Sequence, residues 1–120
     1  MKFYIDNLGF KTEFKREEDK FAYLSFGKSQ IMINQDNGHW ETGKMNYPRG
    51  RGVNFQIECD DVADIQRIAI NNNFTIFRTQ KEEWYRVGNI EEGVKEILIQ
   101  DPDGYLLRFQ QYLGQREQKN

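Results

Sequence analysis

Residues 52–60, GVNFQIECD, alternate apolar and polar side chains without a break. Val53, Phe55, Ile57 and Cys59 take one face; Asn54, Gln56 and Glu58 take the other. A strand of period two keeps one face on a core and turns the other to water or a cavity. The next stretch, DDVADIQRIAINNN (60–73), changes period. Asp60 or Asp61 caps a helix, Val62, Ile65, Ile68 and Ala69 form its apolar stripe, and the asparagine run ends it. A short apolar stretch at 74–77 leads to a strand over Glu82–Val87. Strands follow over VKEILIQ (94–100) and YLLRFQQYL (105–113), joined by Asp101-Pro102-Asp103-Gly104. Residues 52–113 therefore read strand, helix, strand, strand, strand.

The first part of the chain repeats this order with its head removed. KFYIDNLGF (2–10) has Phe3, Tyr4 and Leu8 at helical spacing and Gly9 as a stop. Strand-like segments follow at 10–17, 20–27 and 29–35. Residues 36–51, rich in Gly, Asn and charge, form a long loop, a length that is commonly functional or disordered. The expectation is an α+β protein of two βαβββ modules, the first lacking its opening strand. One domain spans 1–113, with module one and its loop at 1–46 and module two at 52–113. The polar tail at 114–120 is expected to fray.

Composition narrows the function. A net charge of −2 gives no electrostatic footprint for a nucleic-acid partner. No apolar run nears the ~20 residues of a membrane-spanning helix, and the N-terminus has no signal-peptide core. Cys59 is the only cysteine, so the chain forms no internal disulfide, which fits a cytoplasmic location. Its place on the apolar face predicts a buried, structural thiol. With His39 the only histidine, no Ser-His-Asp or Cys-His catalytic set exists, and no catalytic residue is assigned. His39 and Glu41 lack the spacing of a metal pair.

Three segments in this order, FYIDNLGF, ECDDVADI and KEILIQDPDGYLLRF, resemble the vicinal oxygen chelate superfamily over residues 2–112. That group includes glyoxalase I, extradiol dioxygenases, fosfomycin resistance enzymes and bleomycin resistance proteins. The resemblance implies the glyoxalase/bleomycin resistance fold: sheets that curl around a cavity, with helices on the convex side. It also implies where metal-dependent members hold a divalent ion. One ligand position lies on the opening strand, which this chain lacks; the others fall on Met32, Asn54 and Arg108. A guanidinium has no acceptor and stays charged, so it repels a cation rather than ligating one. Met32 is soft and neutral, and Asn54 is a poor transition-metal ligand.

The resemblance is nearest to the metal-free, bleomycin resistance-like members. It implies a metal-independent protein that sequesters an antibiotic-type small molecule in the groove of a homodimer, without a cofactor. The alternative is a metal-dependent glyoxalase-type lyase or an extradiol dioxygenase-type enzyme. The candidate ligand-binding residues are Met32, His39, Trp40, Asn54, Gln56, Glu58, Trp84, Tyr85, Glu96 and Arg108. Asn54, Gln56, Glu58, Glu96, Leu98, Leu106 and Arg108 should share the cavity face. Val53, Phe55, Ile57, Ile97, Ile99, Leu107 and Phe109 should pack against helices. Arg108 reads either as a ligand contact or as a solvated partner of Glu58 or Glu96. His39 and Trp40 read as lid or exposed loop, and Trp84 and Tyr85 as groove wall or inter-module packing.

Overall fold

A computed structural model describes residues 2–36, 38 and 41–117. Lys2–Asn7 makes a single wide helical turn, shorter than the helix expected over 2–10. Three antiparallel strands follow: β1 (Lys11–Arg16), β2 (Phe21–Phe26) and β3 (Ser29–Asn34). Gly27, at φ +57, turns β2 into β3. They form one sheet in the order β1-β2-β3, so the outer edge of β3 pairs with no strand among the described residues.

The second sheet has the order β4-β7-β6-β5. Its strands are β4 (Asn54–Glu58), β5 (Thr75–Val87), β6 (Ile90–Gln100) and β7 (Leu106–Glu117). The helix α1 (Val62–Asn71) crosses from β4 to β5, and the Asp61 carboxylate accepts from the Ala63 amide to cap it. β4 lies parallel to β7, and the remaining neighbours are antiparallel. The two modules thus match element for element, except that β7 has a parallel partner on its outer edge and β3 has none.

Both modules bury one core. Ile57, Ile97, Ile99, Leu107 and Phe109 present one face of the second sheet to Val62, Ile65 and Ala69 of α1, and to Phe3, Phe10, Ala22 and Leu24 of module one. Aromatic rings link the two modules: Phe10 packs on Phe26 and Phe26 edge-on against Phe109, at centroid distances of 4.9 and 5.8 Å. The period-two reading holds for five of the seven residues expected here. Val53 and Phe55 depart from it. Phe55 pairs with Leu107 on the core face but is 45% exposed, because neither α1 nor module one covers this end of β4.

Two strand boundaries also differ. β5 begins at Thr75 rather than near Glu82, because register shifts between Ile76 and Lys81 interrupt its alternation. At one of these, the Gln80 amide leaves the ladder to donate to Gln66 of α1. β7 continues to Glu117, where a frayed tail was expected from 114. Polar contacts hold this extension. Gln115 donates to Glu92 at 2.7 Å, Arg116 pairs with Glu91 at 2.7 Å, and the Arg116 guanidinium lies 4.1 Å from the Trp84 ring centroid.

Asp101 joins the modules. Its Oδ1 accepts from the backbone amides of Asp103 and Tyr105, closing the DPDG turn. Its Oδ2 accepts from the Tyr4 hydroxyl at 2.6 Å. Gly104, at φ +95, lets the turn meet the loop before β4: a Cβ there would sit 2.6 Å from the Pro48 Cα. Burial raises the Asp101 carboxyl above its ordinary 3.8, against the lowering by Tyr4 and the two amides.

Asp101→Ala should cost ~2–4 kcal/mol in urea unfolding, since it orphans two amides and a hydroxyl. Asp101→Asn should keep most of the stability, because its oxygen still caps the turn. A carboxyl raised by folding contributes stability that is fully present below its unfolded pKa and is lost as pH rises through the folded one. The stability of wild type relative to Asp101→Asn should therefore fall as pH rises from 3.8 through the raised value. A flat difference across that range would remove this role for Asp101.

Candidate functional site

The face of the second sheet turned away from α1 is polar at its centre. Cross-strand register arranges it in rows. Arg78, Leu98, Arg108 and Gln56 form one row from β5 to β4. Lys81, Glu96, Gln110 and Glu58 form the next. Gln100, Leu106 and Asn54 form a third, on the other side of the first. Asn54, Gln56, Glu58, Glu96, Leu98, Leu106 and Arg108 therefore share one face.

A hydrogen-bonded chain runs through these rows. The Tyr85 hydroxyl donates to Glu96 Oε1 at 2.9 Å. Glu96 Oε2 faces Arg108 Nε at 3.3 Å. Arg108 Nη2 donates to Gln56 Oε1 at 2.8 Å, and Gln56 Nε2 donates to Gln110 Oε1 at 2.8 Å. Glu96 is 1% exposed and Arg108 33%. The Glu96–Arg108 contact is an ion pair by distance but lacks hydrogen-bond geometry, so both facing atoms remain without a hydrogen-bond partner. Arg78 Nε is a third buried atom without one. Burial, followed by the hydrogen bond to Glu96, pushes the Tyr85 phenol above its ordinary value, so it remains a donor at neutral pH.

The other candidates lie apart from this chain. Met32 is on β3 of the first sheet, 67% exposed. Trp84 pairs with Gly93 and packs its ring over that glycine, on the opposite face from Tyr85. It hydrogen-bonds Glu82 and stacks on Arg116, a structural position. His39 and Trp40 lie outside the described residues. Cys59 is half-buried rather than buried, and burial with Asp60 and Asp61 nearby pushes its thiol up to about 11. It stays protonated and unreactive at neutral pH.

Two residues of the polar chain or its margin, Arg78 and Gln110, are absent from the sequence-derived set. The alternation of the last strand puts Gln110 on the same side as Leu106 and Arg108, as the register does, although it is not among the candidate ligand contacts. Arg78 was hidden by the interrupted alternation of β5.

A concavity of roughly 1060 Å³ runs along β3. Ile31, Met32 and Ile33 line one side, Phe3 and Tyr4 another, and Phe55 and Tyr105 close it from the second sheet. It lies on the core side of that sheet, so neither Arg108 nor Glu96 reaches it.

The donor set does not fit a divalent metal. Arg108 places a cation at a position where the resemblance puts a ligand, and its Nη2 donates to the Gln56 amide oxygen. Among the described residues, no three His, Cys, Asp or Glu side chains come together.

No family model matches the sequence, and no curated protein matches it. Solved structures do match. A glyoxalase/bleomycin resistance protein/dioxygenase from Alicyclobacillus acidocaldarius is 20% identical, with 93% of this chain and 80% of that one covered, at a TM-score of 0.58. An integron cassette protein from the mobile metagenome of V. cholerae is 21% identical, covering 92% and 82%, at 0.63. TioX from Micromonospora sp. ML1 is 15% identical, covering 92% and 89%, at 0.64. The chain has the glyoxalase/bleomycin resistance protein/dioxygenase fold. The likeness is one of fold and names no ligand.

Arg108→Ala should destabilise the protein by ~3 kcal/mol, because it leaves Glu96 buried without a counter-charge. This exceeds what a solvated surface arginine would lose. Arg108→Met with Glu96→Leu should recover most of that loss, since well-packed apolar pairs replace buried ion pairs at little cost. Urea unfolding of the three variants decides it. A loss below ~0.5 kcal/mol for Arg108→Ala would mean that the pair is merely a surface contact.

Proposed function

We propose that this protein is a metal-independent member of the vicinal oxygen chelate superfamily that binds and sequesters an antibiotic-type small molecule. The observation that carries this reading is the Arg108–Glu96 pair at the centre of the polar sheet face. A buried ion pair contributes little to stability compared with apolar packing, so its place at the middle of a sheet favours a recognition role. Gln56, Gln110 and Tyr85 add amide and hydroxyl groups oriented by hydrogen bonds around it, and Asn54 shares the face. The same arginine disfavours the metal-dependent chemistry of other superfamily members.

The working form is a homodimer in this reading. The unpaired edge of β3 favours coverage by a second chain, since an open edge recruits strands. A two-fold contact is the expected symmetry, and it should bury more than ~1,000 Å². No helix is long and apolar enough to cross a membrane. With one cysteine and no disulfide, a cytoplasmic location is the proposed one.

Thermal unfolding of the purified protein should be run against a panel of antibiotics and, separately, zinc, nickel and manganese. A bound organic compound at ~100 times its Kd should stabilise the fold by ~2.7 kcal/mol, a shift of several degrees in Tm. The metals alone should leave Tm unchanged. A metal retained near one per chain, whose chelation lowers Tm, would overturn the metal-independent reading. Light scattering should give twice the 14.4 kDa chain mass; a monomer at micromolar concentration would overturn the dimer.

A further inference from the structure

We propose that the ligand of the polar sheet face is a small organic monoanion, and that Arg78 receives its carboxylate. This rests on the reading of that face as a small-molecule site. The face carries three cations, Arg78, Lys81 and Arg108, and two of them are engaged. Lys81 Nζ lies 2.9 Å from Glu83, and Arg108 is held by Glu96 and Gln56. Arg78 has no carboxylate within 4.0 Å and donates no side-chain hydrogen bond among the described residues; its Nε is shut from water and unpaired. A half-buried guanidinium with free donors favours a planar acceptor that can meet its fork with two oxygens, which is what a carboxylate offers.

The neighbours of Arg78 narrow the chemistry further. Leu98 stands beside it in the row but is buried, and the half-buried Leu106 lies in the adjoining row two strands away, so apolar surface begins on the far side of β6 from the cation. That favours an organic body over an inorganic ion. The Glu96 carboxylate sits two residues from Leu98 on β6, about 7 Å along the strand, and repels a second negative charge. A monoanion is therefore favoured over a phosphate dianion. Gln56 ends the same row, three strand spacings or ~14 Å from Arg78, and supplies an amide for the far end of the ligand.

The test uses four probes of one shape: benzoate, benzamide, benzamidine and phenyl phosphate. Binding to the ¹⁵N-labelled full chain is followed by titration, with the arginine Nε–Hε resonances as the local readout. The Arg78 signal is assigned by its loss in Arg78→Gln. Benzoate should shift that signal at millimolar concentration and bind about tenfold or more tighter than benzamide. Benzamidine and phenyl phosphate should bind more weakly than benzoate. Arg78→Gln should bring benzoate down to about the affinity of benzamide, and Arg78→Lys should restore part of the preference. Benzamide or benzamidine binding as well as benzoate would overturn the anion assignment while leaving a small-molecule site. Phenyl phosphate binding more tightly would overturn the monoanion. Undiminished benzoate preference in Arg78→Gln would overturn the role of Arg78. No binding of benzoate or benzamide at this face would overturn the small-molecule reading and the proposal together.

Discussion

Asp101 sends its two carboxylate oxygens in different directions. One closes the turn between β6 and β7, and the other holds the hydroxyl of Tyr4 at the start of the chain. The turn then carries the loop before β4, through the Arg49 amide on the Asp103 carbonyl at 2.9 Å and the close approach of Pro48 to Gly104. Three segments far apart in sequence therefore meet at one turn. Burial makes the charged carboxylate expensive here, and three donors offset that cost. The helical turn at Lys2–Asn7 is too short to hold itself, so its position depends on this bond and on Phe3 in the core.

With that junction in place, the second sheet has two unlike faces. The core face is apolar across β6, β7 and β4, where α1 and module one cover it. The opposite face buries Glu96 and half-buries Arg108 in an ion pair that joins two runs of hydrogen bonds. The two faces are one residue out of phase on the same strands, so nothing in backbone preference distinguishes them. What differs is the covering: one face meets a helix and the other has none among the described residues.

That difference explains how much could be read from the sequence. Period-two alternation correctly assigned Ile57, Ile97, Ile99, Leu107 and Phe109 to the core face, because those strands are covered along this length. It failed for Phe55, where the strand is real but the covering layer stops, and for Val53, which precedes the strand. Alternation reports a face and not what lies against it. The same signal put Asn54, Gln56, Glu58, Glu96 and Arg108 together, as the register does. It lost Arg78 because β5 is interrupted between Ile76 and Lys81, and each irregularity resets the phase. Trp84 and Tyr85, adjacent in sequence, were treated as one unit. A strand sends neighbours to opposite faces, and only Tyr85 reaches Glu96. The tail beyond Leu113 lacked an apolar pattern; polar pairing across β6 and stacking on Trp84 hold it instead.

The arginine at 108 also dictates its surroundings. A guanidinium at the middle of a four-stranded sheet needs acceptors close by, and the cross-strand positions nearest it supply Gln56 and, diagonally, Glu96. Burying Glu96 in turn creates a demand for donors, which Tyr85 meets at one oxygen and Arg108 opposes at the other. Each polar residue on this face is thus the condition for the next. A carboxylate at 108 would not by itself make a metal site, because Met32 is soft and neutral and Asn54 is a weak donor to transition metals. Arg78, at the margin of the network, stands outside its pairing among the described residues.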